Sequence, residues 1–243
     1  MFGTNPIRKR VDSDGRVLLV QEVFDTVQGE GPDVGTPAMF IRLWGCNLAC
    51  YFCDTDFETN AQAMSVDELV TRAKSRHLVV LTGGEPMRQN IARLVSLLCI
   101  AGHRVQIETA GTLWFMRDYE EMVFAVKNRW SIVCSPKTPR VHPNVLLYAD
   151  AFKYIISGED EHDEHGIPVV HWQRHSEGKK AALATPAWRA SRPESIFVQP
   201  MDESLPYTPP GWMNDRNRAL CVELAMKHGY RVCLQTHKIL NLP

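Results

Sequence analysis

The apolar positions of the chain follow two alternating periodicities, and together these predict the fold class. Short runs rich in β-branched residues, such as residues 37–44 and 78–83, are typical of buried strands. Residues 88–101 instead repeat their apolar positions every three or four residues and end before Gly102, as an amphipathic helix does. Strands that alternate with helices indicate βα units and a mostly parallel sheet, and therefore an α/β fold.

The same patterns place the remaining elements along the chain. The predicted strands span residues 16–24, 37–44, 78–83, 104–109, 131–137, 151–157, 195–201 and 230–236. The predicted helices span residues 65–76, 88–101, 118–127 and 214–228, the first of which opens on a capping box. Residues 1–16 are polar and predict a flexible N-terminal arm, ahead of a single domain over residues 17–243. Residues 158–193 have weak periodicity and predict a divergent insert.

Composition and charge narrow the function classes. The chain has 243 residues, of which 44% are hydrophobic, and a formal net charge of −1. Without a basic stripe, we expect no direct binding of nucleic acid or of an anionic membrane. Residues 1–16 have no apolar signal-peptide segment, and no run approaches the roughly 20 apolar residues of a membrane span. These features predict a cytoplasmic protein.

Three of the seven cysteines, Cys46, Cys50 and Cys53, lie close together on a short loop. A structural zinc site normally has four protein ligands, and the next histidine, His77, lies beyond a predicted helix. An iron–sulfur cluster is normally held by four cysteines, so three thiolates leave one iron open to an exogenous ligand. A zinc site and three buried thiols are the alternatives. The other cysteines are expected in the core: Cys99, Cys134, Cys221 and Cys233.

Residues of unusual chemistry follow several predicted strands. The cysteines follow strand 37–44, and the stretches TGGEP, ETAGT, CSPK and QPM lie at the ends of four later strands. Because the carboxyl ends of parallel strands meet at one edge of a sheet, these stretches predict one shared cleft.

The pattern C-x3-C-x-aromatic-C, with Phe52 as its aromatic residue, resembles the signature of the radical S-adenosylmethionine superfamily. TGGEP resembles the GGE element of that superfamily. The longer stretches FDTVQGEGPDVGTPAMFIRLWGCNLACYFCDT, IETAGT, CSPK, QPM and QTHKILNLP are similar to those of the 7-carboxy-7-deazaguanine synthase family. The resemblance covers residues ~20–157 and ~195–243, and leaves the insert without a counterpart.

This resemblance implies a fold, a reaction and its cofactors. The fold is a partial, modified TIM-like β/α barrel. The reaction, that of a carbon–nitrogen lyase, converts 6-carboxy-5,6,7,8-tetrahydropterin to 7-carboxy-7-deazaguanine with ring contraction and loss of ammonia, in queuosine or other 7-deazapurine biosynthesis. The implied cofactors are a [4Fe–4S] cluster, S-adenosylmethionine that chelates its open iron, and Mg2+.

The resemblance also assigns residues, none of them as a protein acid or base. Cys46, Cys50 and Cys53 would hold the cluster and Thr55 would bind Mg2+. The residues implied for S-adenosylmethionine are Phe52, Gly83, Gly84, Glu85, Gly111, Ser135, Pro136, Lys137, Gln199, Pro200, Met201 and Asp202. Those implied for the substrate are Val27, Gln28, Gly29, Arg42, Thr109, His237 and Pro243, whose terminal carboxylate would meet the substrate.

Partners and competing functions complete the expectations. The family implies a homodimer and an electron donor such as flavodoxin or ferredoxin. A radical S-adenosylmethionine activase of a glycyl-radical enzyme would share the cysteines and the GGE element, but not the stretches QGEG and CDT. A non-enzymatic zinc module is the second alternative. The irregularly spaced histidines of the insert favour a solvated loop over a metal site: His162, His165, His171 and His175.

Overall fold

The structure of the protein is a computed structural model. It describes residues 5–53, 55–57, 59–170, 172–173, 180–202 and 212–243, with the backbone alone for 212–214. Within the predicted sites, Asp54 and two histidines of the insert, His171 and His175, lie outside the described residues.

The strands form one large sheet and one small sheet. Their bounds are Val17–Val27 (β1), Pro37–Leu43 (β2), Gln62–Ser65 (β3), Leu78–Gly83 (β4), Arg104–Thr109 (β5), Trp130–Cys134 (β6), Ala151–Ile156 (β7), Glu161–His162 (β8), Pro168–Val170 (β9), Ala181–Ala182 (β10), Ile196–Pro200 (β11) and Arg231–Val232 (β12). The large sheet has the order β12-β11-β7-β6-β5-β4-β2-β1-β3. From β12 to β2 all neighbours are parallel, whereas β1 is antiparallel to β2 and β3.

This topology confirms the predicted α/β class with a mostly parallel sheet. The large sheet is open, with β12 at one edge and β3 at the other. An open, largely parallel sheet agrees with the expected partial barrel. The carboxyl ends of its parallel strands form a single edge, which is where sites of this fold class lie.

The helices connect the strands and cover the sheet. Their bounds are Val66–Arg72 (α1), Ala92–Ile100 (α2), Glu120–Phe124 (α3), Pro143–Tyr148 (α4), Trp212–His228 (α5) and Thr236–Ile239 (α6). The predicted cap is present, because Ser65 accepts a hydrogen bond from the backbone N–H of Glu68 and starts α1. Leu69 and Leu98 pack with strand residues such as Ile107 in one continuous core.

Each predicted strand and helix overlaps an observed one, but six of the described strands and α-helices escaped prediction. They are all short, so their local patterns carry little signal: β3, β8, β9, β10, α4 and α6. The predicted strand 230–236 ends after β12, because the backbone N–H of Thr236 turns to bond the carbonyl of Gly29. The tail therefore docks as the short helix α6, against Gly29 and Thr26.

The described part of the predicted flexible arm, residues 5–16, is bound to the domain. The backbone N–H of Arg8 donates to Cys46 O over 2.7 Å, and that of Val11 donates to Arg88 O over 2.8 Å. The arm thus contacts the cysteine loop at Cys46 and the segment after β4 at Arg88.

The predicted insert, residues 158–193, is partly folded. It contains the small antiparallel sheet β10-β9-β8. His162 is half-buried on β8, so this part of the insert is not a solvated loop. No helix in the described ranges has the length and apolar composition needed to cross a membrane.

Candidate active site

The cysteine loop follows β2 at the carboxyl edge of the sheet. Gly45 starts the loop with φ +79°, and a Cβ there would collide with the guanidinium of Arg88. Arg88 is itself buried and donates to the carbonyl oxygens of Trp44 and Lys9. The start of the loop is therefore clamped between β2 and the N-terminal arm.

The three thiols face one cavity of about 570 Å³, called here the thiol cavity. Burial raises the pKa of Cys46 to about 12, and burial also raises the pKa of Cys50. A negative charge on Cys53 would raise both pKa values further, because its thiol lines the same cavity. In the described part of the chain, no three His, Cys, Asp or Glu side chains are grouped closely enough to hold one metal ion.

The thiol cavity gathers most residues expected at the cofactor site. The predicted residues that line it are Cys46, Cys50, Phe52, Cys53, Thr55, Gly83, Gly84, Thr109, Ser135, Lys137, Gln199, Pro200, Met201 and Asp202. They come from the last residues of β4, β5 and β11 and from the loops after β2, β4, β6 and β11. The shared cleft inferred from the strand ends is therefore present in the structure.

Three expected cofactor residues lie behind the wall of the thiol cavity. Glu85 is fully buried; its carboxylate accepts hydrogen bonds from the Thr109 hydroxyl and from the backbone N–H of Ala110. Gly111 is packed against Cys134, and Pro136 is buried. As the side chains stand, Glu85 supports the end of β5 and does not line the cavity.

Two glycines of TGGEP allow the backbone to approach the cysteine loop. Gly83 has φ +130°, and a Cβ on Gly84 would collide with the carbonyl of Gly45. The backbone N–H of Glu85 donates to that same carbonyl over 3.1 Å. These positions need glycine because the loops after β2 and β4 touch through their backbones.

Lys137 is one of three lysines that line the thiol cavity, with Lys153 and Lys238. Burial lowers the pKa of Lys137, while the thiol of Cys50 acts in the opposite direction. Its ammonium donates to the hydroxyl and the carbonyl of Ser135, which hold the side chain at the cavity wall. A partly buried ammonium so placed suits an anionic ligand group.

A second cavity of about 680 Å³, called here the tail cavity, adjoins the first. Its walls are the antiparallel pair β1–β2 and the C-terminal tail. The predicted residues that line it are Val27, Arg42, Thr55, Gly83, His237 and Pro243. The Thr26 hydroxyl donates to the carbonyl oxygen of Pro243 over 3.2 Å, so the tail is held across β1.

Three expected substrate residues do not line the tail cavity: Thr109 lines the thiol cavity, and Gln28 and Gly29 line neither. Gln28 is buried and donates from Nε2 to the carboxylate of Glu108 over 2.9 Å. Gly29 lies under His237, where a Cβ would collide with the imidazole ring. Burial lowers the pKa of His237, which favours its neutral form. Gln28 thus positions the cavity wall through Glu108, and Gly29 leaves room for the tail at His237.

The sequence interpretation missed Glu108, which lines both cavities. Its carboxylate also accepts hydrogen bonds from Thr82 over 3.0 Å and from Gln106 over 3.1 Å. The available signal was a carboxylate near the end of β5, directly after Ile107.

The sequence interpretation also missed a buried ion pair between Glu30 and Lys153. Burial acts to raise the pKa of Glu30, but the charge and hydrogen bonds of Lys153 and Gln235 outweigh it and lower that pKa to about 2. Both side chains are largely buried, at 14% and 11% exposed. Lys153, a cation in the apolar strand β7, was the only local sign of this pair.

Comparisons with known proteins bear on these cavities. The Radical SAM superfamily model matches residues 43–134, from the end of β2 to the end of β6. The 7-carboxy-7-deazaguanine synthase of Rhodospirillum rubrum is 42% identical over 247 residues and covers 100% of both chains. That of Rickettsia prowazekii is 38% identical, covering 100% of this chain and 96% of its own.

The chain belongs to the 7-carboxy-7-deazaguanine synthase family. Its fold is also similar to that of QueE from Escherichia coli, with a TM-score of 0.62 at 22% identity, over 90% of this chain and 93% of the other. As a radical S-adenosylmethionine enzyme, it uses a [4Fe–4S] cluster and S-adenosylmethionine. The thiol cavity fits this pair of cofactors, because it combines three thiols with glycine backbone and a buried ammonium.

Proposed function

We propose that the enzyme converts 6-carboxy-5,6,7,8-tetrahydropterin to 7-carboxy-7-deazaguanine, with ring contraction and loss of ammonia. The observation that supports this assignment is the common wall of the two cavities, formed in part by Thr55, Gly83 and Glu108. A cofactor on the thiol side and a substrate on the tail side would then meet across these residues.

The thiol cavity is the proposed cofactor side. Cys46, Cys50 and Cys53 would each ligate one iron, and the fourth iron would be left for S-adenosylmethionine. Gly83 and Gly84 allow the protein backbone to come close to the ligand. Lys137 offers a cation to a ligand carboxylate. Together the bound cofactors supply radical hydrogen abstraction, and the protein supplies position and exclusion of water.

Other polar residues complete the cofactor side. Residues 199–202 line the same cavity, where they would contact S-adenosylmethionine. The carboxylate of Glu85 lies behind Thr109 and Ala110, and it would attract the ligand ammonium through this wall. Gly111 and Pro136 would shape that wall from behind.

The tail cavity is the proposed pterin side. The guanidinium of Arg42 lies beside Phe24 and pairs with Glu22, which orients it at the cavity wall. A guanidinium in this position suits the substrate carboxylate. Val27, His237 and the chain end at Pro243 would enclose the ring, while Gln28 would act by orienting Glu108.

Thr55 is the proposed Mg2+ position. It lines both cavities, so an ion bound there would lie between cofactor and substrate. A hydroxyl is a hard oxygen ligand, and Mg2+ completes its coordination with water and substrate oxygens. Such an ion would orient the carboxylated pterin and stabilise developing negative charge.

Anaerobic reconstitution tests the assignment directly. We expect about four irons and four sulfides per chain with the absorption of a [4Fe–4S] cluster. Incubation with reductant, S-adenosylmethionine and 6-carboxytetrahydropterin should give 7-carboxy-7-deazaguanine, faster with Mg2+ than without. A cluster without product would favour the glycyl-radical activase, and a single bound zinc without colour would favour the zinc module.

The oligomer and the electron donor are separate proposals. We expect a homodimer, as the family implies, which light scattering of the reconstituted protein would measure. A small electron carrier such as flavodoxin or ferredoxin would supply the reducing electron, and turnover with either in place of a chemical reductant would test this. The product would enter queuosine or another 7-deazapurine.

A further inference from the structure

Two side-chain amides from distant segments reach the thiols of the cysteine loop. Gln173 Nε2 lies 3.1 Å from Cys50 Sγ, and Asn5 Nδ2 lies 3.9 Å from Cys53 Sγ. Gln173 belongs to the insert and Asn5 to the N-terminal arm. Neither lies in a sequence motif that predicted the cofactor site.

The orientation of the Gln173 amide is determined by its neighbours. Its Oε1 accepts a hydrogen bond from the backbone N–H of Ala49 over 2.8 Å, so its NH2 group must point the other way. That NH2 group donates to Cys50 Sγ and, over 3.3 Å, to the carbonyl of Lys137. The backbone of Gln173 also forms a bridge with Cys50, which fixes its distance from the loop.

Asn5 makes a weaker contact with its thiol. Its Nδ2 donates over 2.7 Å to the carbonyl of Thr55, and this stronger bond takes up much of its donor capacity. The arm is held in place beyond it, since Arg8 donates from its backbone to the carbonyl of Cys46. The amide of Asn5 thus stays close to Cys53, at a longer distance than Gln173 keeps from Cys50.

We propose that Gln173 and Asn5 are positioning residues that raise the reduction potential of the [4Fe–4S] cluster, Gln173 more strongly. Hydrogen bonds to the ligand sulfurs are one of the factors that set such potentials. An N–H donor stabilises negative charge on a thiolate, and the reduced cluster carries one more negative charge than the oxidised cluster. The amides therefore favour the reduced state, which is the state that radical chemistry needs.

The third thiol provides an internal reference. The backbone N–H of Leu48 lies 3.4 Å from Cys46 Sγ, within the loop itself. Side-chain substitutions leave this donor in place. Among the described residues, the side-chain donors that contact these thiols include Gln173 and Asn5, whose contribution a substitution can remove.

The test is a redox titration of the reconstituted full chain, followed by electron paramagnetic resonance of the reduced cluster. In Gln173→Leu, we expect about tenfold less reduced relative to oxidised cluster at the wild-type midpoint. This corresponds to a midpoint about 59 mV more negative for a one-electron couple. Asn5→Leu should shift the midpoint in the same direction by a smaller amount. Gln62→Leu is the matched control, because Gln62 is an exposed amide on β3, and its midpoint should equal that of the wild type.

Because this inference rests on the proposed cluster at the three thiols, iron and sulfide are counted in every sample. Equal midpoints in all variants with full iron content would overturn the role of the amides and leave the proposed function intact. A wild-type protein without a four-iron cluster would overturn both. If Gln173→Leu fails to retain iron, Asn5→Leu decides: a midpoint below the wild type supports the role, and an unchanged one refutes it.

Discussion

The thiol cavity and the tail cavity adjoin, yet they are assembled in different ways. The thiol cavity is built from loops that follow parallel strands, so each contribution is a short contiguous stretch. The tail cavity is built from the antiparallel β1–β2 pair and a chain end more than 200 residues away from β1. The residues of the cofactor side therefore come from short local stretches, whereas the substrate side depends on contacts between distant segments. Substitutions on the cofactor side should change iron content and product formation, and changes on the substrate side should change KM.

The largest effect is expected on the thiol side. Cys50→Ser should abolish product formation and remove most of the bound iron, because a hydroxyl is a far weaker iron ligand than a thiolate. Cys99→Ala is the matched control: Cys99 is buried in α2 and lies outside both cavities. It should keep full iron content and turnover. Full iron in Cys50→Ser would contradict the proposed ligand set.

At the boundary of the two cavities, Glu30→Gln should destabilise the fold. It leaves the ammonium of Lys153 buried without its carboxylate, which costs about 3–5 kcal/mol in the free energy of unfolding. Urea denaturation measures this loss. The double variant Glu30→Gln/Lys153→Met should recover part of the lost stability. The control Glu164→Gln, at an exposed pair, should cost less than about 1 kcal/mol. An equal loss of stability in Glu30→Gln and Glu164→Gln would show that the buried pair stabilises the fold no more than an exposed one.

The same pair predicts a pH dependence. The folded-state pKa of Glu30 lies at about 2, below its ordinary value of 4.5. Its contribution to stability is therefore complete above about pH 4.5 and is lost as the pH falls towards 2. The stability difference between the wild type and Glu30→Gln should narrow across this window in urea titrations. A constant stability difference between the two proteins from pH 6 to pH 3 would contradict the lowered pKa of Glu30.

On the tail side, we expect effects on KM with little change in iron content. A peptide tag appended after Pro243 should raise the KM for the pterin about tenfold, close to 1.4 kcal/mol, because the added residues must leave through the cavity. The same tag placed before residue 1 is the control and should change KM less. Equal KM values for the two tagged proteins would remove the docked tail from the substrate site.

The smallest effect is expected from Arg42→Lys. Lysine keeps the charge but loses the planar group that pairs with Glu22 beside Phe24, so KM should rise about threefold to tenfold. Arg76→Lys, at the Asp25 pair outside the tail cavity, is the matched control and should leave KM unchanged. Steady-state kinetics separates the two variants, and an unchanged KM in Arg42→Lys would exclude a contact with the substrate carboxylate.

The cofactor site was the more predictable of the two. The spacing of Cys46, Cys50 and Cys53, with the glycines of TGGEP, was visible without any structure because parallel strands deliver their ends to one edge. The burial of Glu85 behind Thr109 was not visible, because a carboxylate beside two glycines looks the same whether it faces a ligand or the core.

The long-range contacts around the two cavities resisted prediction for a physical reason. Glu30 and Lys153 are separated by 123 residues, and the sequence around one does not predict the other as its partner. The helical turn of the tail likewise depends on the hydrogen bond from Thr236 to Gly29, a contact between the two ends of the chain. Local propensity does not encode such contacts.

The sequence by itself determined the α/β class, the order of the main elements, the cysteine loop and the family. Periodicity and spacing are local properties, and they can be recognised without knowledge of the fold. The tertiary structure alone decided that the N-terminal arm and the insert lie against the cysteine loop. It also decided that the two cavities share a wall, formed in part by Thr55, Gly83 and Glu108. These contacts join segments far apart in the chain, and only packing of the whole domain brings them within hydrogen-bonding distance.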